Sequence, residues 1–215
     1  MKRIEQEELD ELMVLHEKWL AGEPGGKRLD LRNMDLSELD FANKNLKFAV
    51  LRFADMQGAI LTYANLENAD MQGANLKGVD LRWTHLEYAK LRCANISNVY
   101  VSSYTKGYFM VCPEEGSYIA YKKCSDGKIV KLLISEDAKR SSATSRKCRA
   151  SKAKVLSITS IDRKESYDDA VSNYDTSFVY KVGETVEVPD FCEERWDECA
   201  PGIHHFITRE EAVLY

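Results

Sequence analysis

The chain has 215 residues and a mass of 24.5 kDa, with 44% hydrophobic and 30% charged residues. That is enough for one large or two small packed domains and too apolar for disorder. No apolar run nears the ~20 residues of a membrane-spanning helix, and the opening MKRIEQEELDEL lacks the apolar stretch of a signal peptide, so a cytoplasmic location without membrane insertion is expected.

Taken in order, residues 3–21 place Ile4, Leu9, Leu12, Met13, His16, Trp19 and Leu20 near helical spacing, ahead of the loop Gly22-Glu23-Pro24-Gly25-Gly26. The spacing predicts an amphipathic helix, with His16 and Trp19 as packing residues. From Leu31 to Val101 every fifth position is a medium or large apolar residue, fifteen in succession, which no helix or strand period explains. Two residues before each lies a second position, alanine in eight of the fifteen cases. The residue between is Asp or Asn in ten, a choice that suits corners because these side chains bond nearby backbone.

Residues 53–81, FADMQGAILTYANLENADMQGANLKGVDL, show the pattern most cleanly. The run from 29 to about 103 resembles the pentapeptide-repeat family, with its A-(D/N)-L-X-X consensus. The resemblance implies a right-handed quadrilateral β-helix with four pentapeptides per coil. Fifteen pentapeptides then make about 3.75 coils, a tower ~18 Å tall at the usual strand spacing. The ends of such a tower expose core and strand edges, so residues 1–28 are expected to supply a cap helix and loop. Lys44 breaks the inward pattern, as do Thr84 and His85, and Phe48, Phe53, Tyr63, Trp83 and Tyr88 fall outward. Tyr63 and Trp83 are twenty apart and are expected to stack on one face, a docking surface for the second domain or a partner.

After Val101 the register stops, and 104–215 is expected to form a separate α+β domain. Ser117–Tyr121 and Lys128–Ile134 read as strands joined by a hairpin at Cys124-Ser125-Asp126-Gly127. Residues 152–160 and 177–188 read as strands, the second interrupted at Gly183. Residues 135–151 are open between helix and Ser-rich loop. Thr208-Arg209-Glu210-Glu211 is a capping-box pattern that opens a terminal helix. The segments CPEEGSYIAYKKCSDGKIVKLLISEDAKRSSATSRKCRASKAKVL and VYKVGETVEVPDFCEERWDECAPGIHHFITREEAVLY resemble a domain of unknown function that follows pentapeptide repeats, mostly in phages and prophages. The resemblance implies an origin and no chemistry.

The small net charge of −5 hides opposed blocks. Residues 122–154 carry 11 basic and 3 acidic residues, a net of +8, and residues 162–199 carry 4 basic and 12 acidic, a net of −8. Either the blocks pair with each other, or the basic one meets an anionic ligand. For the second case the candidate residues are Lys139, Arg140, Arg146, Arg149 and Lys152. They are interspersed with hydroxyl residues that suit phosphate oxygens. No Walker-type loop is present. Cys192, Cys199, His204 and His205 lack structural-zinc spacing, no thiol is marked as a nucleophile, and the six cysteines are expected to be reduced. No metal, cofactor or catalytic residue is therefore assigned.

The function expected is that of a non-enzymatic, phage-type interaction scaffold whose C-terminal domain binds an anionic ligand or host partner. A host protein or a nucleotide is the expected partner, in a host-takeover or anti-defence role; nucleic acid is not favoured, and self-association stays open. Two alternatives stand beside it. One is a DNA mimic acting on a DNA-binding enzyme, against which the short and nearly neutral tower argues. The other is an enzyme in the C-terminal domain.

Overall fold

The computed structural model describes residues 1–215 and divides into two compact units, Met1–Phe109 and Met110–Tyr215. In the first, the five-residue pattern forms a parallel coil whose pitch is twenty residues. Single parallel bridges join Asp30 to Val50, Asp35 to Asp55, Asp40 to Ile60, and so on to Asp80 with Tyr100. The ladder is carried by bonds such as Leu31 N–H to Val50 O at 2.8 Å and Leu46 N–H to Asn65 O at 2.7 Å. Every fifth side chain from Leu31 to Leu91 is buried, with Ala49, Ala54, Ala59, Ala64, Ala69 and Ala74 buried beside them.

Each of the ten Asp or Asn residues accepts a bond from the backbone N–H two residues on, from Asp30 with Arg32 to Asn95 with Ser97. These Asx turns occupy donors at the corners that the coil ladder leaves over. The price of so tight a coil is a left-handed residue in each pentapeptide. Glycine fills the position at 58, 73 and 78, but Phe48, Phe53, Tyr63, Trp83 and Tyr88 hold it at φ near +60°, a region bulky side chains avoid. Tyr63 and Trp83 stack at 5.1 Å with 4° between their planes, and Phe53 lies over Gly73, where an added Cβ would meet its ring at 2.4 Å.

The coil does not end at Val101. One residue is inserted in the last turn, so that His85 bridges Lys106 and Leu86 N–H bonds Lys106 O at 2.9 Å. Thr105 Oγ1 donates to Leu81 O at 2.9 Å, as Thr84 Oγ1 does to Leu61 O one coil below. The repeat pattern is lost in sequence because of that single insertion, while the backbone pairing continues.

At the other end, β1 (Lys2–Arg3) pairs in parallel with β2 (Met34–Asp35), and α1 (Gln6–Leu20) covers the first coil. The Gln6 side-chain amide pairs with the Asp40 backbone in both directions, at 3.0 and 3.1 Å, and so completes an open strand edge. His16, fully buried, accepts from Leu29 N–H through Nδ1 at 3.1 Å, and Trp19 stacks on it. Lys44 reaches out of the coil to Asp10 at 2.6 Å. No helix of the chain is long and apolar enough to cross a membrane.

The second unit is mostly sheet. Its hairpin joins β3 (Tyr118–Lys123) to β4 (Ile129–Ile134) through a short 3-10 turn, with Asp126 left-handed. The segment left open between helix and loop forms β5 (Arg140–Ser142) and β6 (Cys148–Ala150), with Ser141, Ser142 and Thr144 buried. Then follow β7 (Lys152–Thr159), β8 (Ser166–Tyr167), β9 (Asp169–Val171), β10 (Val179–Lys181), β11 (Thr185–Glu187) and β12 (Ile203–His205). Strands β11, β7, β4 and β3 form one sheet with β8 on β7; β12, β6 and β5 form a second; β10 and β9 pair apart. Val130, Leu132, Ile134, Val155, Ile158, Tyr180 and Ile203 fill the core. The helical part is only α2 (Arg209–Leu214), opened by the Thr208–Glu211 capping box.

The coil register is tested by a pair of adjacent substitutions. Leu66→Lys places a charge in the buried column and is expected to destabilise by roughly 4 kcal/mol. Glu67→Lys disrupts partly exposed contacts with Lys47 and Asn68 and is expected to stay within about 1 kcal/mol. Equal shifts of the two in denaturant melts would contradict the register.

Candidate functional site

The five basic residues singled out in the sequence are not brought to one point. Arg149 is 2% exposed, and its guanidinium donates to Cys192 O at 2.9 Å, Pro201 O at 3.1 Å and Glu194 O at 2.8 Å. Arg140 donates to five carbonyls, the shortest bonds being 2.6 Å to Gly116 O and 2.6 Å to Ser135 O. Both forks gather carbonyls of irregular segments that no strand satisfies. Arg146 pairs with Glu211 at 2.6 Å, Lys139 with Glu193 and Lys152 with Asp137. Ser145 N–H bonds Glu198 at 3.0 Å, and Arg195 Nε donates to Ser142 O at 2.8 Å. Two pairs join the basic block to the acidic one, Lys139 with Glu193 and Lys128 with Asp169 at 3.7 Å, whereas Asp137 lies within the basic block and Glu211 beyond the acidic one.

The Cys and His residues near the C-terminus also separate. His205 is fully buried, and its Nδ1 lies 2.9 Å from Ile203 O. A carbonyl only accepts, so Nδ1 carries the proton and Nε2 accepts from the Tyr118 hydroxyl at 3.0 Å. Buried Cys112 and Cys148 lie next to this chain; the Cys148 thiol hydrogen-bonds Cys112 and holds it below the usual thiol range. Burial lowers His205 to about 4. His204 falls likewise to about 4, through burial first and then the charges of Lys147, Lys122 and Arg149. Its Nε2 donates to Ala200 O at 3.2 Å.

His204 and Cys199 face instead a cavity of 560 Å³ in the second unit, which sequence reasoning did not find. Its buried lining includes Lys122, Tyr180 and Ile203, with Phe178 and Val188 half-buried beside them. Lys122 stands on β3, at a position where strand alternation turns the side chain inward. It is 8% exposed, and no carboxylate lies within ion-pair distance of it. Its Nζ donates to His204 O at 3.3 Å and lies 6.0 Å from the Tyr180 ring centre. Burial lowers its affinity for a proton most; Cys124 raises it, and the charge of Lys147 lowers it again, with a net fall. In sequence, Lys122 is one of two adjacent lysines in a strand, and the only available signal was that alternation points one of them into the core.

A twenty-residue parallel coil with an Asx corner at most pentapeptides defines a pentapeptide β-helix, here joined to a sheet-rich unit that holds a cavity. The comparisons agree: the chain carries pentapeptide repeats, eight copies over residues 27–62 and 64–100, followed by a domain of a family of unknown function (DUF5758) over 108–212. No curated protein matches the chain. Among solved structures, a pentapeptide-repeat protein of the Arabidopsis thaliana thylakoid lumen is 28% identical. It covers 40% of this chain and 68% of its own, with a TM-score of 0.33. One from Nostoc is 24% identical over 41% of this chain and 93% of its own, with a TM-score of 0.23. At these scores the overlaps carry no weight for fold or function.

Two measurements test the assignments. Arg149→Gln leaves buried carbonyls without a donor and is expected to destabilise by about 3 kcal/mol or more. Arg146→Gln removes an exposed pair and is expected to change stability by less than about 1 kcal/mol. Equal effects in thermal melts would show that Arg149 is not a structural clamp.

The second concerns acid stability. With a folded value of about 4 for His205 and an unfolded one near ~6.5, the unfolded chain binds the proton first. The histidine's contribution is therefore complete above pH ~6.5 and is lost as pH falls toward 4, by roughly 3 kcal/mol. The stability difference between pH 7 and pH 4.5 is expected to narrow in His205→Gln; a difference as wide as the parent's would assign it to His204 and the carboxylates.

Proposed function

We propose that this chain is a binding module in which the repeats, as a right-handed quadrilateral β-helix, form a rigid scaffold and the C-terminal domain holds a small ligand. The ligand occupies the cavity above Lys122, with an apolar body against Phe178, Val188 and Ile203 and a polar end at the amine. The observation that carries the reading is a buried lysine with no acidic partner that lines a cavity. Buried charges are ordinarily paired, and a perturbed titratable group in a cleft is a usual mark of a site.

The basic segment around Lys139, Arg140, Arg146, Arg149 and Lys152 is better assigned to holding the domain together, since each side chain has a partner within it. A role directed at a host protein in a phage setting is the biological frame that the sequence resemblance suggests for such a module. DNA mimicry is less well supported, because residues 1–100 carry 13 basic and 16 acidic residues, a net of only −3.

A lysine retained for binding and not for folding makes a direct prediction. Lys122→Met keeps the aliphatic stem and removes the unpaired charge, so it is expected to stabilise the protein by roughly 1–2 kcal/mol. Thermal shifts that small ligands with an apolar body and a polar end produce in the parent are expected to shrink in the variant. A lower melting temperature in Lys122→Met would make the lysine structural and remove the ground for this reading.

A further inference from the structure

We propose that Lys122 is an amine poised to form an imine with a small, uncharged aldehyde or ketone admitted to this cavity. The proposal rests on the cavity-binding reading above and adds the ligand's chemical class and the bond it makes. Three features of the site point to it.

The first is how little holds the amine. Its one hydrogen bond goes to His204 O at 3.3 Å, and no carboxylate lies within ion-pair distance to fix it as an ammonium. A buried ammonium without a counter-charge is unfavourable, and a cation nearby worsens it. Desolvation and an adjacent cation are the two conditions that turn lysine into a nucleophile toward carbonyl compounds. Here burial is the largest influence and favours the neutral amine, as the charge of Lys147 does, while Cys124 acts in the opposite direction without reversing the shift.

The second is the charge and polarity of the lining. Tyr180, Phe178, Val188 and Ile203 offer apolar contact near Lys122, while Asp175, Glu187 and Asp190 are exposed on the same cavity. Those carboxylates repel an anionic ligand, which selects an uncharged carbonyl compound over a keto acid.

The third is a group able to move a proton. His204 lines the same cavity and donates through Nε2 to Ala200 O, which leaves Nδ1 with a free lone pair, a weak acceptor able to relay a proton without keeping it. The step balances without an oxidant. The Lys122 nitrogen lone pair bonds to the carbonyl carbon as the C=O π pair moves to oxygen, giving a carbinolamine. That oxygen then leaves as water, two protons having come from the amine nitrogen by way of solvent or His204, and a C=N bond remains.

The test uses the full chain at neutral pH with benzaldehyde and cyanoborohydride, and peptide mapping to locate the reduced adduct. Lys122 is expected to be alkylated roughly tenfold faster than exposed Lys90 or Lys181. Excess benzyl alcohol, which has the same ring and no carbonyl, is expected to slow labelling at Lys122 alone. Labelling at Lys122 no faster than at Lys90 overturns the proposal. If benzyl alcohol then still raises the melting temperature of the parent protein, the cavity reading stands without the imine. If neither compound shifts the melt and Lys122 is unlabelled, both fall. Lys122→Arg serves as the variant that keeps a cation and cannot form the bond; equal total incorporation of benzaldehyde by this variant and the parent also overturns it.

Discussion

Each side of the coil has five residues in which to bury one large side chain, bury one small one, turn a corner and pair with the backbone twenty residues away. The other properties of the first unit follow from that constraint. The small position is most often alanine, which fits beside Leu or Met in the column, although Leu29, Leu39 and Val79 are also buried there. The corner residue is Asp or Asn because its carboxylate or amide oxygen accepts the N–H two residues later. The turn forces one left-handed residue per side, and the tower tolerates aromatic residues there where they find a neighbour one coil away, as Tyr63 does on Trp83.

The same accounting of backbone groups governs the second unit by different means. Its segments between strands, near 113–116, 135–138 and 192–201, present carbonyls that no ladder reaches. Two arginines collect them, Arg140 for the first two and Arg149 for the third. A guanidinium does this well because it carries five donors in a fixed plane and remains charged under all ordinary conditions. Lysine lacks both properties, which is why a buried lysine is the more informative residue. Arg149 has three carbonyl partners and belongs to the framework, whereas Lys122 has one long bond and an open cavity beside it.

The charge blocks illustrate how a sequence pattern can be real and leave its consequence open. The basic stretch around 139–152 does stand out in the chain, and it does meet negative groups. Those groups are Glu193, Glu198, Glu211 and Asp137 of the same domain. Charge density along the chain records that compensation is needed and carries no information on whether it comes from within the fold or from a ligand. Surface pairing of this kind adds little stability; the buried Arg149 is the exception because carbonyls would otherwise be stranded.

What the sequence by itself determined is whatever repeats locally. The β-helix, its cap helix, the hairpin at Cys124–Gly127 and the Thr208 capping box all depend on spacings of twenty residues or fewer, so a register or a turn signal is enough to read them. The one-residue insertion before Lys106 hid the last coil for the same reason: the pattern broke although the pairing did not. Tertiary structure alone decided the identity of the cavity. Lys122, Tyr180 and His204 come from β3, β10 and β12, separated by dozens of residues, and nothing in their local sequence marks them. They share a site because three separate sheets pack around one core, and burial, which sets the chemistry of each group, is a property of that packing and not of the chain.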